Sequence, residues 1–290
     1  MTQQPVIASV DGSEKGARAV AVAAAIARLA GSDLNVMRVI DVPSKRLRAQ
    51  ADESGLDTTV MNGRQEADAQ LAEAIAGVAV GPECRVTVDV IEGTDVAATI
   101  VGHAVQRNAR VLVLATRAPR TVERAIGGSV ADRVMRESPY PVVLVPPGAA
   151  FLGTKTMQIG RVLVPQDGSS LAFRCLEFLI ELPNARDLEY VLVEVAATED
   201  LRVDAQTRLD HSAAWLRARG VKSVEVIVAG ASDVAAAIGS AVREVFPDLI
   251  AMSTRGAGGL GRLMLGSVAE GVVRGSEIPV LLLTPRMLAQ

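Results

Sequence analysis

The stretch VIASVDGSEKGARAVAVAAAIA, residues 6–27, is answered by RVLVPQDGSSLAFRCLEFLIEL, residues 161–182. Each opens on a short apolar run, turns at Asp-Gly-Ser and continues with apolar residues at helical spacing, the pattern of a strand, a tight turn and a helix. Two further blocks repeat in the same order. EGTDVAATIVGHAV (92–105) matches AGASDVAAAIGSAV (229–242), and IGGSVADRVMRESPYPVVLVPP (126–147) matches MLGSVAEGVVRGSEIPVLLLTP (264–285). Repetition of whole supersecondary blocks in a fixed order marks a duplicated domain. Asp11 and Asp167 are 156 positions apart, whereas Asp95 and Asp233, like Ser129 and Ser267, are 138 apart, so the first copy carries 18 extra residues before Asp95. The polar stretch 44–68 is the natural place for them. Copy one is read as residues 1–147, a linker as 148–160 and copy two as 161–290, because two prolines close a strand at Pro146-Pro147 and small residues follow.

Short Val, Leu and Ile runs alternate with helical patterns of 10 to 20 residues in each copy. In copy two the expected strands are RVLVP, YVLVEV, VEVIV, LIAMS and VLLLT. The expected fold class is therefore α/β, two doubly wound domains in tandem, each with five parallel strands. Composition agrees: 49% of residues are apolar but only 2% aromatic, so the interior must be filled by aliphatic side chains, as in buried parallel sheets. A net charge of −3 with scattered basic residues argues against nucleic acid as a partner. Cys84 and Cys175 are far apart, with no metal or redox spacing, and read as small apolar side chains; a reducing cytoplasm fits. No apolar run is long enough to span a membrane, and no leader pattern is seen at the start.

Chemistry concentrates in STRGAGGLGRLMLGSVAE, residues 253–270, where Gly256, Gly258, Gly259, Gly261 and Gly266 fall within eleven positions. A Walker A loop is excluded, because the chain has no Gly-Lys pair. Gly256, Gly258 and Gly261 spell G-x-G-x-x-G, but after a fourth strand, not a first, and with no acidic residue closing the next strand, so a dinucleotide site is rejected. Ser253-x2-Gly256-x9-Gly266-Ser267 remains, aligned in copy one with Ala115-x2-Ala118-x9-Gly128-Ser129. With the aspartate after the first strand, this spacing resembles the ATP-binding branch of the universal stress protein superfamily, whose signature is G-x2-G-x9-G-[ST]. The resemblance covers both copies in strand order, as in the tandem members with an adenine nucleotide alpha hydrolase-like fold.

The resemblance implies a nucleotide-binding stress-response protein that takes ATP with Mg2+ held through the phosphates. Gly256, Gly266, Ser267 and the amide of Val268 would touch phosphates, Ser253 would stand at the first glycine of the signature, Pro165, Gln166, Val193 and Met252 would border adenine, and Asp167 would meet ribose or a magnesium-bound water. Elementary chemistry agrees: glycine lets backbone N–H groups approach an anion, and a helix N-terminus adds donors and partial positive charge. Copy one keeps Asp11, Val39, Gly128 and Ser129, but Ala115 and Ala118 replace the loop glycines and Pro119 removes a donor, so one competent and one degraded site are expected. No catalytic residue is assigned, since no general base or converging carboxylate pair is legible. A slow ATP hydrolase or phosphotransferase, a protein-interaction module without nucleotide, and a cyclic nucleotide or other adenylate as ligand stay open. Asp-Gly-Ser is equally a turn with an N-cap; His103 and His211 read as partly exposed helix residues, and Arg117 and Arg255 as solvated charges or a phosphate clamp. The closing strands PVVLVP and PVLLLTP are candidates to pair the copies as an intramolecular pseudo-dimer, with a homodimer as the further option.

Overall fold

The computed structural model describes residues 4–42, 53–82, 84–116, 129–148, 157–254, 265–284 and 286–287. Copy one runs β1 (Val6–Ser9), α1 (Glu14–Ala30), β2 (Leu34–Asp41), α2 (Glu53–Ile75), β3 (Val86–Gly93), α3 (Val96–Gln106), β4 (Val111–Ala115), α4 (Ser129–Glu137) and β5 (Val142–Val145). Copy two repeats it as β6 (Arg161–Gln166), α5 (Ser170–Ile180), β7 (Glu189–Ala196), α6 (Glu199–Arg217), β8 (Ser223–Gly230), α7 (Val234–Val245), β9 (Leu249–Ser253), α8 (Ser267–Gly275) and β10 (Val280–Leu283). The extra length of copy one lies around α2, which has 23 residues against 19 for α6.

All ten strands join one mixed sheet in the order β3-β2-β1-β4-β5-β10-β9-β6-β7-β8. Pairing is parallel within each copy, as the βαβ alternation requires. Between copies it is antiparallel, with Val280 opposite Leu144 and Leu282 opposite Val142. Helices cover both faces. Alternation along β1 sends Val6 and Ala8 towards α1 and α2, and Ile7 towards α3 and α4; α5 and α6 continue the first layer, α7 and α8 the second. Each layer thus has one apolar cluster that includes residues of both copies.

Side chains stitch the seam further. Thr284 Oγ1 donates to Ser138 O at 2.7 Å, Arg110 Nη2 to Glu181 O at 3.1 Å, and Asn184 Nδ2 to Arg28 O at 2.6 Å. His103 departs from expectation: it is 7% exposed, held under the sheet by Nε2 to Asn35 Oδ1 at 3.0 Å, with Asp89 at 3.4 Å. Burial lowers its pKa against the opposing pull of Asp89. The sequence hid this because the partners sit on two other elements, Asn35 on β2, 68 positions away, and Asp89 on β3. Cys175 is buried as expected, but Cys84 is only half-buried. His211 is exposed.

Candidate functional site

In each copy the strand order turns back on itself between the first and fourth strands, β1/β4 and β6/β9. Ligands of doubly wound sheets bind beyond the carboxyl ends of the strands at such a switch point. Asp11 and Asp167 leave β1 and β6 there. Asp167 Oδ1 accepts from Ser169 N at 2.9 Å and Ser169 Oγ at 2.6 Å, and Ser169 Oγ in turn caps α5 by accepting from Ala172 N at 3.1 Å. Copy one does the same: Asp11 Oδ1 accepts from Ser13 N at 3.1 Å and Ser13 Oγ accepts from Gly16 N at 3.2 Å. The intervening glycines are the only residues that turn at low cost here, with φ of +77° at Gly12 and +75° at Gly168. Both serines therefore cap helices, and each aspartate fixes the turn.

The two switch points differ in their ladders. β1 pairs with β4 through four positions, as far as Ser9 with Leu114, whereas the β6–β9 register runs only from Val162 with Leu249 to Leu163 with Ile250. The residue matching Ser9 is Pro165, which has no ladder donor to give. Met252 and Ser253 remain paired with Leu282 and Leu283 of β10, but lie outside the ladder with β6. Pro165 stands beside Val193 in the β6–β7 register, and Pro165, Val193 and Met252 all point to the α7/α8 layer, together with the start of α8.

At the start of α8, Gly266 is in extended conformation, with φ −67° and ψ 151°, and offers no side-chain cap, unlike Ser13, Asp95, Ser169 and Asp233 on their helices. Gly266 N donates to Thr254 O at 2.8 Å, and Thr254 N and Oγ1 donate to Leu283 O at 3.1 and 2.9 Å. This anchors the helix start to the ends of β9 and β10. Thr116 makes the same pair of bonds to Val145 O in copy one. These buried threonines escaped sequence reading, although their matched places beside Ala115 and Ser253 were a signal.

Placement of the expected residues is uneven. Pro165, Asp167, Met252, Ser253, Gly266, Ser267 and Val268 gather at one edge of copy two. Gln166 ends the same strand but points to the opposite layer, where its amide donates to Ala172 O at 3.3 Å. Val193 is a buried core residue matching Met37, and the residue that matches Val39 in strand register is Val195, half-buried one step nearer the strand end. The 156-residue offset between the first two strands of each copy gives the same match. Ser129 opens α4 in copy one. Gly256, Gly128, Arg117 and Arg255 lie outside the described residues. Among the described residues no cluster of three or more His, Cys, Asp or Glu is arranged to hold a metal, and no helix is long and apolar enough to cross a membrane.

Known proteins with this architecture agree across the whole chain. A universal stress protein from Archaeoglobus fulgidus overlays with a TM-score of 0.68 at 21% identity, covering 97% of this chain and 96% of that one. Two Pseudomonas aeruginosa structures overlay at 0.61, with 14% and 13% identity, covering 99% of this chain and 95% of theirs. In sequence, a universal stress protein of Methanocaldococcus jannaschii is 26% identical over 135 residues, 42% of this chain and 79% of that protein. The model of the universal stress protein family matches residues 3–146 and again 158–284. The chain belongs to the universal stress protein family and carries its domain twice in tandem.

Proposed function

We propose that copy two binds one adenine nucleotide, ATP, and that the protein acts as a ligand-dependent regulator with no efficient turnover of its own. The observation that carries this reading is the β6/β9 switch point, where a ladder cut short beside Pro165, the Asp167 turn and the side-chain-free start of α8 occupy one edge of one copy. N-terminal amides and partial positive charge at Gly266 and Ser267 favour phosphate there. Magnesium would ride on the phosphates, with Asp167 in reach of its water shell, since this ion keeps several waters and takes few protein carboxylates. In copy one the longer β1–β4 ladder and the Ala115 and Ala118 replacements both work against a second site.

Freshly purified protein is denatured and the released nucleotide identified by chromatography. The expected yield is one adenine nucleotide per chain, lost in Gly266→Val, whose side chain blocks the approach of an anion to the helix start. Two nucleotides per chain would overturn the one-site reading. None released, with no titration signal for ATP or cyclic AMP, would leave an interaction module; a signal for cyclic AMP alone would change the ligand but keep the site. Multiple turnover that Asp167→Asn abolishes while binding persists would make the protein an enzyme.

A further inference from the structure

On the opposite layer of copy two, between α5 and α6, lies an open cleft of about 720 Å³ lined by Gln166, Glu194, Arg208, Ser212, Phe173 and Trp215. Its volume lies within the ~300–1,000 Å³ of small-molecule sites. Its floor lies on the other layer from the proposed nucleotide edge, because strand alternation sends Gln166 and Glu194 here and Pro165, Val193 and Met252 away, while Gly168, Ser169 and Ser170 of the Asp167 turn form its rim. Its floor carries an incomplete polar group. Glu194 is 6% exposed, and Arg208 Nε and Nη2 both donate to the same oxygen, Oε1, with Nε at 3.0 Å. Glu194 Oε2 is buried with no hydrogen-bond partner among the described residues. A buried carboxylate oxygen without a donor is costly and rare in folded proteins.

We propose that this cleft binds a small aromatic amine, its ammonium pairing with the Glu194 carboxylate and its ring lying against Phe173 and Trp215. Charge is distributed by depth in a way that selects this polarity. The anion is at the floor, while Arg208 is 42% exposed and Arg174, Glu177 and His211 stand exposed at the mouth, so a donor is wanted inside and an acceptor tail is tolerated outside. The aromatic wall is already ordered: Phe173 and Trp215 meet edge to face at 4.9 Å between centroids, and Arg219 covers the Trp215 ring at 3.8 Å. Copy one differs at the matching place. Arg38 replaces Glu194 in strand register, and its guanidinium, with the Gln70 amide, sits directly against Gly12.

Trp215 is the only tryptophan in the chain, so its fluorescence reports the cleft. Titration with phenethylamine is expected to give a saturable change, at least ~10-fold tighter than 3-phenylpropionate, which has a carboxylate in place of the amine. Glu194→Gln, which turns one acceptor into a donor, weakens phenethylamine by ~10-fold or more. Ser212→Leu keeps the Glu194–Arg208 pair but fills the cleft and abolishes the change; thermal unfolding checks that each variant is folded, and one folded variant suffices. Saturating ATP leaves the phenethylamine curve in place. No saturation by about 10 mM, equal binding of the acid, an unchanged curve in folded Ser212→Leu, or displacement by ATP would each overturn the proposal.

Discussion

Asp167 and Gly168 do two jobs in three atoms' reach. The carboxylate fixes a turn through Ser169 N and Oγ, and the glycine holds φ at +75°, so the same geometry that caps α5 sets the edge of the proposed nucleotide site. A Cβ on Gly168 would lie 2.7 Å from Arg208 Cδ, the far part of a flexible side chain that can move, so the cost is mainly backbone. Gly168→Ala should therefore destabilise the protein by ~1 kcal/mol in urea unfolding, with loss of the Arg208–Glu194 pair as the added effect. His103 gives a pH signature at the same scale. Burial holds its pKa below the ordinary 6.5, so the unfolded chain takes up its proton first as pH falls. The stability contribution is complete above pH 6.5 and is lost progressively below it, as the folded-state pKa is approached. Urea midpoints at about pH 7.5 and pH 5.5 should separate in the native protein and draw together in His103→Gln.

Helix ends and helix contacts show how the copies have drifted apart under one plan. Asp95 and Asp233 cap α3 and α7 through Ala98 N and Ala236 N at 3.1 and 3.0 Å. In copy one Arg133 Nη1 on α4 donates to both Asp95 oxygens at 2.9 Å, and the Ala98 amide together with Arg133 holds that carboxyl below its ordinary range. The matching residue on α8 is Gly271, whose Cβ, if present, would lie 2.6 Å from Ala235 Cβ. Polar bridging in one copy is replaced by close contact in the other. Gly271→Ala gains up to ~1 kcal/mol of helix propensity. The rigid clash with Ala235 costs ~1–3 kcal/mol. A lower melting temperature is the expected net result. At the end of α7, Phe246 is 79% exposed and adopts φ +48°, a conformation that suits Asn108, its match in copy one, at φ +50°. Phe246→Asn should raise stability by ~0.5–1 kcal/mol, measured by the same unfolding curves; no gain would mean that the exposed ring packs on something in solution.

Across the whole molecule the two copies share one sheet and two continuous apolar layers, so they should unfold together. Val143 on β5 is fully buried beside Leu281 of β10. Val143→Asp places a charge at the seam and should cost more than ~3 kcal/mol. Because Trp215 lies in copy two, its fluorescence separates the alternatives: a midpoint that falls with the far-UV circular dichroism signal means one cooperative unit, whereas an unmoved Trp215 transition would mean that copy two folds independently. The antiparallel pairing of β5 with β10 also leaves β3 and β8 as the outer strands, on the far sides of the sheet from one another.

Much of this was legible in the amino-acid order alone. Three repeated blocks, with their Asp-Gly-Ser turns and apolar alternation, determined two βαβ copies, their strands and the edge at which a ligand would sit, because hydrophobic period and turn chemistry act over a few residues. Tertiary structure alone decided what depends on residues far apart in the chain: that ten strands form one sheet, that His103 is buried on Asn35, that the β6–β9 ladder stops short beside Pro165, and that Glu194, beside a cleft between α5 and α6, keeps an oxygen unpaired among the described residues. Side-chain direction and partner choice are set by register between strands, and register is fixed only when the whole sheet buries its two faces.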